Sequence, residues 1–203
     1  MLDPETLLNA YASGYFPMAD SREGELGWYS PDPRAIIPLD TFHVPRSLSL
    51  VIKKLPFELR INTAFEEVMR ECAEREETWI SEQIIASYVF LFRLGYAHSV
   101  ECWKEERLCG GLYGVALGGA FFGESMFSRE RDASKIALVH LVELLRTRGF
   151  ELLDTQFTTA HLERFGAIEI PRREYLKRLK LAIVKPCKFV GPVPDTTLPI
   201  HLR

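Results

Sequence analysis

The sequence predicts an α+β fold, a small N-terminal lobe joined to a domain whose helices pack on a mixed β-sheet, and three observations carry that prediction. Apolar residues recur at helical spacing in several separated segments. Between His98 and Ser128 the apolar period changes to two over three consecutive segments. Helical and strand-like segments then alternate as far as Ile183. With 203 residues, 47% of them hydrophobic, the chain can fill one sizeable core, or a core and a small appended lobe.

Taken in order, Asp3-Pro4-Glu5 leads into Leu7, Leu8 and Tyr11 and stops at Gly14, which predicts a short N-terminal helix. From Phe16 to Asp40, four prolines, two glycines and Trp28-Tyr29 predict irregular chain, broken only by the strand-like Ala35-Ile36-Ile37. Pro45 opens a helix over Arg46 to Lys54, and Phe57 to Ile61 alternates as a strand. Ala64, Phe65, Val68, Met69 and Cys72 share one helical face, as do Ile84, Ile85, Tyr88 and Leu91 on a helix capped by Ser81. Strands are expected at Ser99 to Trp103, Leu108 to Leu117 and Ala120 to Ser128, with turns at Glu105-Glu106 and Gly118-Gly119. A helix follows in which Ala137, Leu138, Leu141, Leu144 and Leu145 face inward, His140, Glu143 and Thr147 fall opposite, and Gly149 ends it. The remainder reads as a strand at Glu151 to Phe157, a short helix at Ala160 to Phe165, a strand at Ile168 to Ile170 and a basic helix from Arg172 to about Ile183. This order from residue 82 suits an N-acyltransferase (GNAT-like) arrangement, by analogy. It divides the chain into an N-terminal lobe over 1–62, a GNAT-like domain over 63–185 and an irregular tail over 186–203.

Composition excludes several classes. Cys72, Cys102, Cys109 and Cys187 form no CxxC pair and the five histidines are scattered, which argues against a zinc site or a disulfide framework. The first residues lack a basic leader, and the longest mostly apolar run, Ile84 to Phe92, is too short to span a bilayer, so no signal peptide and no membrane anchor are expected. The net charge of −3 speaks against a nucleic-acid partner, but its distribution is uneven. Residues 171–203 carry eight basic and two acidic side chains, and Arg46, Lys53, Lys54 and Arg60 form a second basic cluster. Either cluster could meet phosphates or be the solvated face of a helix.

Two strands hold polar residues where apolar ones would be expected. Asp154 and Gln156 share one face of their strand with Leu152 and are i, i+2 neighbours roughly 6 to 7 Å apart. A buried Asp there needs a partner, and Gln156 could supply a donor; the alternative is an Asp that ties a strand end to a loop. By the same alternation Phe122, Glu124, Met126 and Ser128 face one way, so a carboxylate shares a surface with two large apolar groups. Such a pocket could read a cation beside an apolar group, or Glu124 could be an exposed edge residue. Gly110, Gly111 and Gly114 allow close approach of a backbone or ligand, or mark a bulge. The turn Arg131-Asp132-Ala133-Ser134-Lys135 has no glycine, which makes coenzyme A binding unfavoured and leaves Ser134 and Lys135 as candidates for other anionic contacts at a helix N-terminus. Among the aromatics, Trp79 stands where a nucleobase-stacking surface could begin.

Read together, the chain resembles the leucyl/phenylalanyl-tRNA-protein transferase family. The resemblance is carried by Gly14-Tyr-Phe-Pro17, Trp28-Tyr-Ser-Pro-Asp-Pro-Arg34, His43-Val-Pro-Arg-Ser47, Thr78-Trp-Ile80, Gly95-Tyr-Ala-His-Ser99, Gly110-Gly-Leu-Tyr-Gly-Val115, Phe122-Gly-Glu-Ser-Met-Phe-Ser128, Ala133-Ser-Lys135 and Ile168-Glu-Ile-Pro-Arg-Arg173. It implies a cytoplasmic enzyme that moves Leu, Phe and less readily Met from aminoacyl-tRNA to proteins beginning with Arg or Lys, in the N-end rule degradation pathway, with no cofactor and no metal. By position it implies Asp154 and Gln156 as the catalytic pair, Glu124 in the acceptor site, and Met126, Leu141 and Leu153 lining the aminoacyl pocket. Trp79, Ser134, Lys135 and Arg46 are expected at the tRNA 3′ end. The chain departs from the pattern at Met18, where many members have Trp, and at Leu141, where Phe is common. Two other readings remain open, an acyl-CoA-dependent N-acyltransferase and a non-catalytic tRNA-binding module.

Overall fold

The structure is a computed structural model that describes residues 1–22, 24–75 and 78–191. Helix α1 (Pro4–Ala12) starts at Asp3, whose carboxylate accepts the Thr6 N–H at 2.8 Å, an N-cap that satisfies one orphan donor. Strands β1 (Phe16–Ala19) and β2 (Leu26–Tyr29) form an antiparallel pair where irregular chain was expected. At four residues each they are too short for alternation to show. Then come β3 (Arg34–Ile37), α2 (Arg46–Ile52), β4 (Glu58–Ile61), α3 (Phe65–Ala73) and α4 (Glu82–Arg93), the last capped by Ser81 as read from sequence. Strands β5 (Ala97–Lys104), β6 (Arg107–Leu117) and β7 (Ala120–Ser128) run as a meander. The chain ends its regular part with α5 (Ala133–Thr147), β8 (Leu152–Gln156), α6 (Ala160–Glu163), β9 (Ile168–Ile170) and α7 (Arg172–Ala182).

Among the described residues seven strands make one mixed sheet in the order β4-β5-β6-β7-β8-β3-β9. Every pairing is antiparallel except β7 with β8, which are joined by the crossover helix α5. The α+β class is therefore the one the element order predicts. Residues 1–62 supply β3 and β4 to this sheet, and β3 lies between β8 and β9 although it precedes them by more than a hundred residues. That insertion carries Arg34 to the centre of the molecule.

Each face of the sheet is covered. One core gathers Leu7 and Tyr11 of α1, Met69 of α3, Tyr88 of α4 and Tyr175 of α7 against Tyr113 and Phe122. The other gathers Leu138, Leu141 and Leu145 of α5 against Leu112, Phe121 and Leu153. Helix α5 is buried on nearly all sides, so His140, expected on an outward face, is buried too. Leu39, Leu48, Ile52 and Phe189 belong to the same core as α5. Burial pushes the His140 pKa down to about 4 and keeps it neutral. Residues 186–191 form no regular element, yet Phe189 is buried and stacks on His98 at 4.3 Å and Phe121 at 5.1 Å. The rest of the expected tail lies outside the described residues. Among the described residues no helix is long and apolar enough to cross a membrane.

Candidate active site

Parallel pairing of β7 with β8 stops at Phe122 and Asp154. Beyond that point a cavity of about 260 Å³ lies between the two strands, lined by residues 123–126 on one side and by Leu153, Thr155, Gln156 and Phe157 on the other. A β-bulge shapes it. Tyr113 pairs with Ser125 and Gly114 with Gly123, so Glu124 is the extra residue on β7. The bulge resets the alternation, and this corrects the expectation that Phe122, Glu124 and Met126 face one way. Phe122 packs in the core on the α1 side, Met126 against the core on the α5 side, and Glu124 sits between them at the cavity. Gly114 is required at this point, since a Cβ there would run into the Phe122 carbonyl and the Phe121 ring.

Asp154 is fully buried and fully partnered. Arg34 donates to it twice, Nε to Oδ1 at 2.9 Å and Nη2 to Oδ2 at 2.6 Å, a bidentate pair between side chains that are 1% and 0% exposed. Tyr175 Oη donates to Oδ2 at 2.8 Å, and the Gln156 backbone N–H to Oδ1 at 2.9 Å. Arg34 Nη1 also donates to the Gly14 carbonyl at 3.0 Å, and its guanidinium lies between the rings of Phe16 and Tyr175, 4.9 and 4.5 Å from their centroids. Burial opposes the Arg34 charge, but its bonds and attraction to Asp154 prevail and raise its pKa.

Gln156 takes a backbone φ of 58°, a left-handed conformation uncommon for a residue other than glycine. The Phe157 N–H returns to the Thr155 carbonyl at 2.6 Å, closing a tight three-residue turn around it. Strand β8 ends there, and the bond from Gln156 N–H to Asp154 holds the strained residue in place. Such strain is stored where the fold needs a side chain aimed in a particular direction. The Gln156 Nε2 reaches Glu124 Oε1 at 3.5 Å.

Among the described residues Glu124 has no cationic partner in bonding contact. Tyr11 Oη donates to Oε1 at 2.6 Å, Tyr88 Oη lies 3.5 Å from Oε2, and the two phenols make a short contact with each other. Burial, opposed by the Tyr11 bond, raises the Glu124 pKa to about 8, with nearby Asp154 adding to the rise and Arg34 reducing it. Burial and the same carboxylate push Tyr11 and Tyr88 well above the ordinary phenol value, so both remain donors. An empty-handed carboxyl at the edge of an apolar cavity can hold a proton, or take up a cation that enters.

The other expected residues divide into three groups. Met126, Leu141, Leu153 and Trp79 line the same cavity as Glu124 and Gln156. Ser134 lines an adjoining cavity, where its N–H is held by Ser128 Oγ at 3.2 Å, while Lys135 pairs with Asp132 at 2.6 Å beside it. Arg46 is exposed at the first residue of α2 and lines neither cavity. Met18 lines the main cavity with Phe16 and Pro17. Cys72, Cys102 and Cys109 are buried, and burial raises all three thiols. Among the described residues no group of three His, Cys, Asp or Glu side chains could hold a metal ion. Sequence reasoning passed over Arg34, Tyr11, Tyr88 and Tyr175. The available signal for Arg34 was an arginine opening the otherwise apolar strand Arg34-Ala-Ile-Ile37.

Comparison with known proteins bears on most of the chain. A family model described as leucyl/phenylalanyl-tRNA protein transferase matches residues 36–180, and a model of that family's N-terminal domain matches residues 1–32. The leucyl/phenylalanyl-tRNA–protein transferase of Gloeobacter violaceus is 58% identical over 188 residues, covering 93% of this chain and 97% of that protein. That of Akkermansia muciniphila is 59% identical over 186 residues, with 90% and 96% covered, and that of Chlorobaculum parvum 55% identical over 194 residues, with 94% and 100% covered. Among solved structures, one titled "The structure of L-PGS from Bacillus licheniformis" gives a TM-score of 0.42 at 15% identity over 78% of this chain and 55% of that one, too low a similarity to bear on function.

Proposed function

The chain belongs to the leucyl/phenylalanyl-tRNA protein transferase family, and from that premise we propose that it transfers Leu or Phe, and less readily Met, from aminoacyl-tRNA to proteins whose N-terminal residue is Arg or Lys. The setting is the N-end rule degradation pathway in the cytoplasm. One observation supports the acceptor rule: Glu124 is a half-buried carboxyl without a cationic partner among the described residues, at the edge of a cavity otherwise suited to an apolar side chain. Met126, Leu141 and Leu153 surround the Leu or Phe side chain of the donor. Glu124 pairs with the cationic acceptor residue, gaining an opposite charge that lowers its pKa and favours the carboxylate.

The chemistry asks little of the protein. The donor ester is already activated, and an α-amine of pKa about 7.7 to 8.0 is partly neutral near pH 7, so positioning supplies much of the acceleration. The amine nitrogen forms a bond to the ester carbonyl carbon, the bond to the ribose oxygen breaks, and the amine proton ends on that oxygen. Gln156 orients the amine; Asp154 holds Gln156 through its backbone N–H, with Arg34 and Tyr175 holding Asp154 in turn. On the tRNA side Trp79 offers a flat surface for the terminal base, Ser134 and Lys135 polar contacts, and Arg46 with its basic neighbours a phosphate contact further out.

The test is to incubate the purified protein with Leu-tRNA or Phe-tRNA and peptides beginning with Arg, Lys, Asp or Ala, and to weigh the peptides. A gain of one Leu or Phe residue on the Arg and Lys peptides alone is expected. No gain on any peptide, with the tRNAs still charged, would overturn the proposal.

A further inference from the structure

Two cavities meet along one wall. The main cavity and a second of about 490 Å³ share Arg75, Met126 and His161 among their lining residues. The main one is largely apolar; the second is polar, lined by Ser128, Ser134, Arg129 and the carboxylates Glu71 and Glu74, with Arg129 paired to Glu71. His161 stands on α6, five residues beyond Gln156, with its ring edge-on to Phe165 at 5.4 Å. Its Nε2 is buried and has no hydrogen-bond partner among the described residues. Tyr113 Oη and Thr155 Oγ1, from residues that line the main cavity, are likewise buried without partners. A polar atom left unpaired in a folded protein costs free energy unless something arrives to pair with it. Three such atoms around one cavity suit a ligand that is polar as well as apolar. Burial, with Lys135 and Arg164 nearby, lowers the His161 pKa, so the imidazole is neutral at pH 7 and each ring nitrogen can donate or accept according to tautomer.

An aminoacyl-tRNA end has the same two characters. Its aminoacyl side chain is apolar, its terminal nucleotide is polar and anionic, and the ribose with its ester joins them. We propose that His161, in the wall between the two cavities, hydrogen-bonds the ribose hydroxyl adjacent to the aminoacyl ester; this rests on the function proposed above. The contact fixes the ribose so that the ester carbonyl faces Gln156. As the C–N bond forms and the ester C–O bond breaks, the amine proton passes to the departing ribose oxygen, and no other reactant is consumed. His161 and Gln156 thereby hold the two sides of the reacting ester.

The experiment pairs a protein change with a substrate change. Single-turnover transfer of Leu to an Arg-initiated peptide is measured with donor tRNA ending in adenosine or in 2′-deoxyadenosine, for the unaltered chain and for His161→Phe. Phenylalanine keeps a ring against Phe165 and deletes both nitrogens. On the adenosine donor the variant is expected to lose about tenfold in rate with the peptide KM unchanged, whereas on the deoxy donor the two proteins transfer at equal rates. His161→Gln, which restores a neutral polar group, recovers part of the loss on the adenosine donor alone. Equal losses on both donors, with the unaltered chain active, would overturn the role of His161 while leaving the function standing. If the Phe variant fails to fold, the Gln variant carries the comparison, expected to lose less on the adenosine donor than it would if the role were structural and to match the unaltered chain on the deoxy donor; equal losses again overturn the role. An unaltered chain that transfers from neither donor overturns the function itself.

Discussion

Asp154, fully buried, and Glu124, half-buried, are carboxyls on neighbouring strands, and their surroundings are opposite. Asp154 accepts four hydrogen bonds, two of them from the Arg34 guanidinium, so its charge is neutralised from within the fold. Glu124 accepts from phenols and an amide, none of which carries a charge, and its proton is held until about pH 8. The first is paired internally and orients a turn; the second has only uncharged partners among the described residues. One part of the molecule spends buried charge on geometry; under the proposed function the other serves recognition.

Breaking the internal pair gives the largest expected effect. Arg34→Met leaves Asp154 buried without its cation and is expected to cost about 3–5 kcal/mol in urea unfolding at neutral pH. Glu124→Gln, which removes a carboxyl with no cation to lose, is expected to cost far less; equal losses would show that the two sites are not different in kind.

The pH dependence follows from Glu124. A carboxyl whose folded pKa is raised contributes its stability in full below the unfolded value of 4.5 and loses it as pH rises through about 8. Unfolding midpoints measured across that window should therefore fall with pH, and less steeply in Glu124→Gln. The smallest effect is expected from Tyr11→Phe. Deleting that phenol removes one bond to Glu124, about 0.5–1.5 kcal/mol, and raises the Glu124 pKa further because the bond favours the charged form. Titration of the Glu124 carboxyl by NMR in the Tyr11→Phe chain checks the direction.

Legibility in the sequence followed the length of each local pattern. Strands β5, β6 and β7 are 8, 11 and 9 residues long, enough for alternation to declare itself. Glu105 and Glu106, at φ 50° and 58°, make the turn read between β5 and β6. The pairs in β1 and β2 gave no such run, and the place of β3 between β8 and β9 is set by contacts across more than a hundred residues, which no local period encodes. The site followed the same rule. Asp154, Gln156 and Glu124 stood out as polar residues in apolar strands, whereas Tyr11 and Tyr88 sat on apolar helical faces like ordinary core residues, and nothing local set Tyr175 apart within its basic helix. The bulge at Glu124 escaped because a single extra residue leaves the composition of a strand unchanged while reversing the faces of everything after it.

The central claim is that Glu124 receives a charge supplied by the acceptor. It is tested most directly by comparing kcat/KM for two otherwise identical peptides, one beginning with Arg and one with citrulline, which has nearly the same shape and no charge. The unaltered chain is expected to favour Arg by roughly 10- to 150-fold, the value of a buried hydrogen bond to a charged group, and Glu124→Gln to treat the two alike. A Glu124→Gln chain that kept the full preference for Arg would contradict the account.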